Sequence, residues 1–378
     1  MPDGSFFRLL RWLGPWAGQQ LPPGVVRQTW VVRDGAPAGR RANGVRPRRG
    51  RGERGRLEAY VYRPTRPVAG TYLVAPGLHF DGPDDPRLDR FCRVLAAAGF
   101  CVVTPFLPSY VDLIVEPSAP DDLEVVARAL LERLPADERI TLFSISFGSW
   151  PALEVAARLG PAARAVITFG GYAEFESAIR FCVDGIMRHP DGDVRLARDP
   201  LNQPALFLNM LPWLEDVTGD TTDLEAAWRE MVYRTWGRME LKVPGRLEPF
   251  ARELAPRVPA EQRELFLIGT GVVPGAESLL GRALDRAGDA LRFADPAPAI
   301  PRLQCPAVVC HGRDDDVIPW GEAEKLYRAL SAHVPARLLL TGLYGHTGAG
   351  RPSVRALGRE VRAMLDIAET LARAGSVL

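Results

Sequence analysis

Long apolar runs are missing from this sequence. No stretch of eighteen or more apolar residues occurs, so no membrane span is expected. An excess of one charge is missing too. The formal net charge is +1, which argues against bulk attraction to nucleic acid or to acidic lipid. Cysteine is scarce: Cys92, Cys101, Cys182, Cys305 and Cys310 are odd in number and form no C-x-x-C pair. A disulfide framework is therefore not expected, and buried reduced thiols in a reducing, cytoplasmic compartment are. Lysine is nearly absent, with only Lys242 and Lys325. That bias reads as the mark of a GC-rich genome rather than of a function. A glycine-rich phosphate loop, a metal-ligand cluster and a dinucleotide fingerprint are all lacking, so no cofactor and no metal are expected.

What remains is ordinary globular material in a chain of 378 residues, with 47% hydrophobic and 25% charged residues. That length exceeds a usual single core and predicts one large domain with an insertion, or two domains. The N-terminal stretch Phe6 to Trp16 is apolar but short, with no basic region and no small-residue cleavage site, so it is not read as a signal peptide. Packing against the domain is the expected role, and a weak membrane-surface contact as a short amphipathic helix is the alternative. Residues 33–56 are rich in Arg, Gly and Pro without interleaved aromatics, which reads as an exposed hairpin tip or loose linker rather than a nucleic-acid patch.

Beyond that point strands and helices alternate. Leu57–Tyr62, Gly70–Gly77 (ending in a turn), Phe100–Pro105, Ile140–Phe143 and Ala165–Phe169 read as strands. Arg87 to Gly99 has helical periodicity with Gly99 as its C-cap, and Asp121-Asp122 mark the start of a helix running through Leu131. This rhythm predicts βαβ units and a mostly parallel sheet. Between Gly171 and Pro301 it breaks into helix-like pieces, and it resumes with strands at Ala307–Cys310 and Ala336–Thr341.

The most informative residues are Ser144-Ile145-Ser146-Phe147-Gly148, placed between the strand from Ile140 and the helix-forming Pro151–Leu159. A serine on a tight strand-to-helix turn among small residues is the form of a nucleophile elbow, G-x-S-x-G, here with serine in place of the first glycine. Further on, Ala307–Cys310 runs into His311-Gly312-Arg313-Asp314-Asp315-Asp316-Val317-Ile318-Pro319. The last strand then runs into Gly342-Leu343-Tyr344-Gly345-His346. Serine, aspartate and histidine thus follow one another in chain order, each just past a strand end.

In these motifs the chain resembles the α/β-hydrolase superfamily of serine hydrolases, over roughly residues 56–172 and 302–370. The resemblance implies an α/β-hydrolase fold with a mostly parallel central sheet flanked by helices. It divides the chain into an extension and basic loop (1–55), a first core part (56–172), a helical cap (173–301) before the penultimate strand, and a second core part (302–378). It also implies a triad of Ser146, Asp315 and His346. Asp315 is chosen over Asp314 and Asp316 because Gly312, Asp315, Val317 and Pro319 fit the family's Gly-x-x-Asp-x-Val-x-Pro. His346 is chosen because His79, His189 and His311 precede the acid, and His333 falls at the wrong end of the last strand. The backbone N–H groups of Leu78 and Phe147 are the implied oxyanion donors. His79 either lines the pocket or is a satisfied surface histidine. The expected activity is cleavage of a small-molecule carboxylic ester with an apolar acyl or alcohol group, through an acyl-enzyme on Ser146. Acyl transfer or thioester cleavage by the same triad, or a non-catalytic binding member of the fold, are the alternatives. Dehalogenase and epoxide-opening relatives are set aside, because they carry Asp where Ser146 stands.

Overall fold

The computed structural model describes residues 4–13, 20–33, 56–215, 217, 219–342 and 354–373. Eight strands form one sheet: β1 (Val25–Arg33), β2 (Arg56–Pro64), β3 (Thr71–Ala75), β4 (Cys101–Pro105), β5 (Ile140–Ile145), β6 (Ala163–Phe169), β7 (Ala307–Gly312) and β8 (Ala336–Thr341). Their spatial order is β1-β2-β4-β3-β5-β6-β7-β8. β2 runs antiparallel to both of its neighbours, and every other pairing is parallel. The exchange of β3 and β4 makes β3 the neighbour of β5. The turns leaving β3 and β5 therefore emerge side by side at the C-terminal edge.

Strand β3 is buried at every position, and so is β4. Continuous apolar sequence is what a strand covered on both faces requires. On one face, Tyr72, Val74, Val102, Phe143 and Val308 pack under α2 (Pro86–Ala98) and the C-terminal helix α6 (Val354–Ala372), with α1 (Gly4–Leu13) laid across them. On the other, Leu73, Val103, Leu142, Val166 and Val309 face α3 (Ser118–Leu131), α4 (Ser149–Leu159) and α5 (Trp320–Ser331). The expected N-terminal packing is present: Leu9 is fully buried, while Phe7 stays exposed. All five cysteines are buried and unpaired.

Three details differ from the sequence reading. Strand β1 was not anticipated, although all nine of its residues pair with β2 from Val25↔Pro64 to Arg33↔Arg56. The helix expected to start after Asp121-Asp122 begins a turn earlier, at Ser118. Pro120 fits inside its first turn because the N–H it lacks has no intrahelical acceptor there. The elbow helix likewise starts at Ser149, before Pro151. The Arg-rich loop, residues 34–55, lies outside the described residues.

Between β6 and β7 the chain is mainly helical, including Phe175–Asp184, Gln203–Met210, Thr222–Thr235 and Ala276–Ala287, with a short antiparallel ribbon pairing Ile186–Met187 with Val194–Arg195. Its apolar residues Phe175, Leu201, Phe207 and Trp228 join the same buried cluster as the α3/α4 face of the sheet. No helix among the described residues is long and apolar enough to cross a membrane.

Candidate active site

Ser146 follows β5 directly and has φ of +52°. Leu113 is the only other described non-glycine residue with positive φ. A side chain held there costs about 1–3 kcal/mol and persists only where its surroundings leave no alternative. The surroundings are backbone. A Cβ on Gly148 would lie 2.5 Å from the Pro76 carbonyl oxygen and 2.7 Å from that of Ala75. A Cβ on Gly77 would lie 3.2 Å from the Ile145 carbonyl oxygen and 3.4 Å from Ser146 Cβ. The turns after β3 and β5 thus press against each other through two glycines, and Ser146 is tipped out at their seam. Ser144, which occupies the usual first-glycine position, sits within β5 opposite Ala75 and Thr168, where a small buried side chain suffices.

Leu78 and Phe147 line the same cavity as Ser146. The Tyr110 hydroxyl, itself buried, donates to the Phe147 carbonyl oxygen at 2.9 Å and so holds the peptide following the turn. After Leu78 the chain closes a turn in which Gly82 N–H donates to the His79 carbonyl oxygen at 2.9 Å.

Asp315 lies just past β7. Its Oδ1 accepts from the backbone N–H groups of Val317 and Ile318, both at 2.9 Å. Its Oδ2 faces Gly170 at the end of β6: a Cβ there would lie 3.3 Å from Asp315 Oδ2 and 4.0 Å from Ser146 N. About one methyl group of space therefore separates the surroundings of acid and serine. The neighbouring aspartate is used differently. Asp316 is almost fully buried, and its Oδ2 accepts from Lys242 Nζ at 2.6 Å, while Asp199 Oδ2 meets the same ammonium at 2.9 Å. Asp199 N–H also donates to the Asp316 carbonyl oxygen at 2.7 Å. Burial pulls the Lys242 ammonium toward neutrality, but its two carboxylate partners outweigh that and hold its pKa above the ordinary value. Burial raises the Asp199 pKa, with Lys242 opposing the shift.

His346 lies outside the described residues. None of the four described histidines is free to serve Ser146. His311 is fully buried inside β7, with Nε2 2.8 Å from the Ile318 carbonyl oxygen and 3.6 Å from Asp315 Oδ2. That carbonyl requires the proton on Nε2, so the ring donates there. His189 is bound to Glu324 at 3.1 Å against Trp320, and His333 is exposed beyond α5. His79 lines the cavity and has polar partners as well: its Nδ1 accepts from the Asp81 N–H at 3.2 Å, and its Nε2 lies 3.3 Å from Asp85 Oδ2.

The cavity holds about 530 Å³. Its apolar wall from the inserted segment includes Phe175, Ile179, Leu201, Ala205, Leu206 and Trp236, and the paired Asp199 and Lys242 line it too. The polar Asn209 also lines it, but Asn209 is spent on the backbone of Leu113, Val115 and Ala205. Among the described residues no cluster of His, Cys, Asp or Glu could hold a metal ion. Sequence reasoning missed Tyr110, Asp199 and Trp236. It noted Lys242 only for its rarity, the one signal available.

The strand order, with its single antiparallel strand and a serine on the turn after β5 at the sheet's C-terminal edge, defines an α/β-hydrolase fold. No family model matches the sequence, and no curated protein matches it. Similar solved structures include brefeldin A esterase, a bacterial homologue of human hormone-sensitive lipase (14% identity, TM-score 0.47, 100% of this chain and 87% of that one). They also include the acylaminoacyl peptidase of Pyrococcus horikoshii (11%, TM-score 0.43, 93% and 41%) and a dienelactone hydrolase-like protein of Klebsiella pneumoniae (13%, TM-score 0.40, 91% and 98%). The chain spans about two fifths of the length of the peptidase it matches.

Proposed function

We propose that the protein is a serine hydrolase that cleaves a carboxylic ester with an apolar acyl or alcohol group through an acyl-enzyme on Ser146. The observation that carries this reading is the left-handed Ser146 at the seam of two glycine turns, opening into a largely apolar cavity. Strain of this kind in a side chain bearing a hydroxyl is expected where the hydroxyl is used.

In the proposed reaction, Ser146 Oγ attacks the ester carbonyl while His346 takes its proton. The Leu78 and Phe147 N–H groups receive the charge that develops on the carbonyl oxygen. Collapse breaks the C–O bond, and the alcohol leaves with the proton from His346. Water then repeats the sequence on the acyl-enzyme and frees the acid. Asp315, with one oxygen fixed by two N–H groups and the other facing the serine side, orients the imidazole and balances its charge.

Reach supports His346 as the base. Strand β8 ends at Thr341, three strand spacings from β5, or roughly 14 Å. The five residues from Thr341 to His346 can extend up to roughly 17 Å. Residues 173–301 act in this reading as the cap that supplies the apolar wall. With a p-nitrophenyl ester, Ser146→Ala is expected to abolish turnover without changing the thermal melt. Unchanged turnover refutes the assignment, and product analysis with a competing alcohol separates hydrolysis from acyl transfer.

A further inference from the structure

The loop that carries Leu78 continues into a histidine whose surroundings are more elaborate than a wall position needs. His79 Nδ1 accepts from the Asp81 backbone N–H at 3.2 Å. Its Nε2 lies 3.3 Å from Asp85 Oδ2, and Asp85 is in turn held by Arg87 at 2.7 Å. Asp85 also caps α2, accepting from Arg87 N at 2.7 Å. The ring stacks on Phe80 with centroids 4.5 Å apart and meets Trp236 of the inserted segment at 5.5 Å. Phe80 packs edge-on against Tyr233 of the same segment. The imidazole therefore ties the turn after β3 to the N-terminus of α2 on one side and to the inserted helices on the other.

We propose that His79 is a positioning residue for the Leu78 oxyanion donor, resting on the serine-hydrolase reading above. The chain from Gly77 to Asp85 has two fixed points. Gly77 is seated on the Ile145 carbonyl and Ser146 Cβ, and the other end is the α2 cap at Asp85. Between them the next residue steadies the chain at Leu78: its carbonyl closes the turn to Gly82, its Nδ1 is hydrogen-bonded, and a carboxylate oxygen lies 3.3 Å from its Nε2. This arrangement needs one tautomer of the neutral ring, with Nδ1 accepting and Nε2–H facing Asp85. Burial lowers the His79 pKa, against the pull of Asp85 and Asp81 and together with Arg87, so the neutral form is favoured. A donor aimed a fraction of an ångström off the oxyanion weakens the transition state while leaving substrate binding nearly intact.

Substitutions divide the two ring contacts. His79→Asn carries an oxygen near the Nδ1 position and keeps the Asp81 contact. His79→Gln carries an NH₂ near the Nε2 position and keeps the Asp85 contact. His79→Phe fills the space and keeps neither. With the p-nitrophenyl ester, His79→Ala and His79→Phe are expected to lower kcat by about 10–100-fold with KM within about twofold. The Asn and Gln variants should each recover part of the loss. Full kcat in His79→Phe would reduce the residue to packing, and a raised KM at unchanged kcat would make it a substrate contact; either overturns the proposal. Wild type and Ser146→Ala run alongside: no Ser146-dependent turnover in wild type sinks the hydrolase reading itself, whereas normal turnover in every His79 variant sinks only this inference.

Discussion

The two turns that frame the candidate site are fixed by opposite means. Around Ser146 the determinant is steric. Backbone meets backbone so closely that Gly148 has no room for a Cβ and Gly77 only a tight fit, and the serine is held at φ of +52°. Around Asp315 the determinant is polar. Two backbone N–H groups hold one carboxylate oxygen, and next door Lys242 bridges the buried Asp316 to Asp199 of the inserted segment. A steric seam admits one arrangement. A polar loop depends on partners far away in the chain, and fails when one of them is removed.

The comparison breaks most sharply at Gly148. Gly148→Ala places a methyl 2.5 Å from the carbonyl oxygen of Pro76, the buried residue that follows β3. Overpacking of this kind costs roughly 1–3 kcal/mol or more, and here it also displaces the nucleophile. Ester turnover is expected to fall below detection, with a lowered melting temperature by calorimetry. Ser144→Gly at the unstrained strand position should change turnover by less than a few fold.

On the polar side, Asp315→Asn should keep the fold and lower kcat by about 10³–10⁴-fold, because the amide no longer balances an imidazolium. Steady-state kinetics at saturating ester checks it, and a loss under tenfold would move the acid role elsewhere in the loop. Lys242→Met is a stability prediction instead. It strands two carboxylates, one of them almost fully buried, and breaking such a pair by removing one partner costs roughly 3–5 kcal/mol. Adding Asp316→Asn to that variant should return part of the loss in denaturant unfolding. If the double variant is no more stable than the single one, the ion pair is not what holds the loop.

The same contrast explains what the sequence disclosed. Steric seams are written in local residues, so Ser146, the glycine at 148 and the strand-to-helix turn could be read directly. The parallel strands were readable because burial on both faces demands unbroken apolar runs such as Thr71–Ala75. The acid loop was only partly readable. Three consecutive aspartates look alike as letters, and what separates them is a lysine more than seventy residues earlier and a pair of backbone N–H groups. Strand β1 was missed because it lies at the sheet edge, with Val26 exposed and no strict alternation. Tyr110 and Trp236 gave no signal, since each acts by where the fold carries it.

The smallest expected effect concerns His79. Its pKa is lowered in the folded state, so below the unfolded value of about 6.5 the unfolded chain binds the extra proton first. Stability is therefore complete above that pH and declines as pH falls toward the folded value. The melting temperature should drop between pH 7 and pH 5, and His79→Gln should flatten that slope by a degree or two. An unchanged slope would show that the ring charges without penalty.

The central claim is that the hydroxyl at the glycine seam is a nucleophile. Treating the purified protein with a fluorophosphonate and mapping the modified peptide by mass spectrometry tests it most directly. The account predicts one adduct, on Ser146, formed at a rate that competes with ester substrate. An unmodified Ser146 in folded protein, or an adduct confined to another serine, contradicts it.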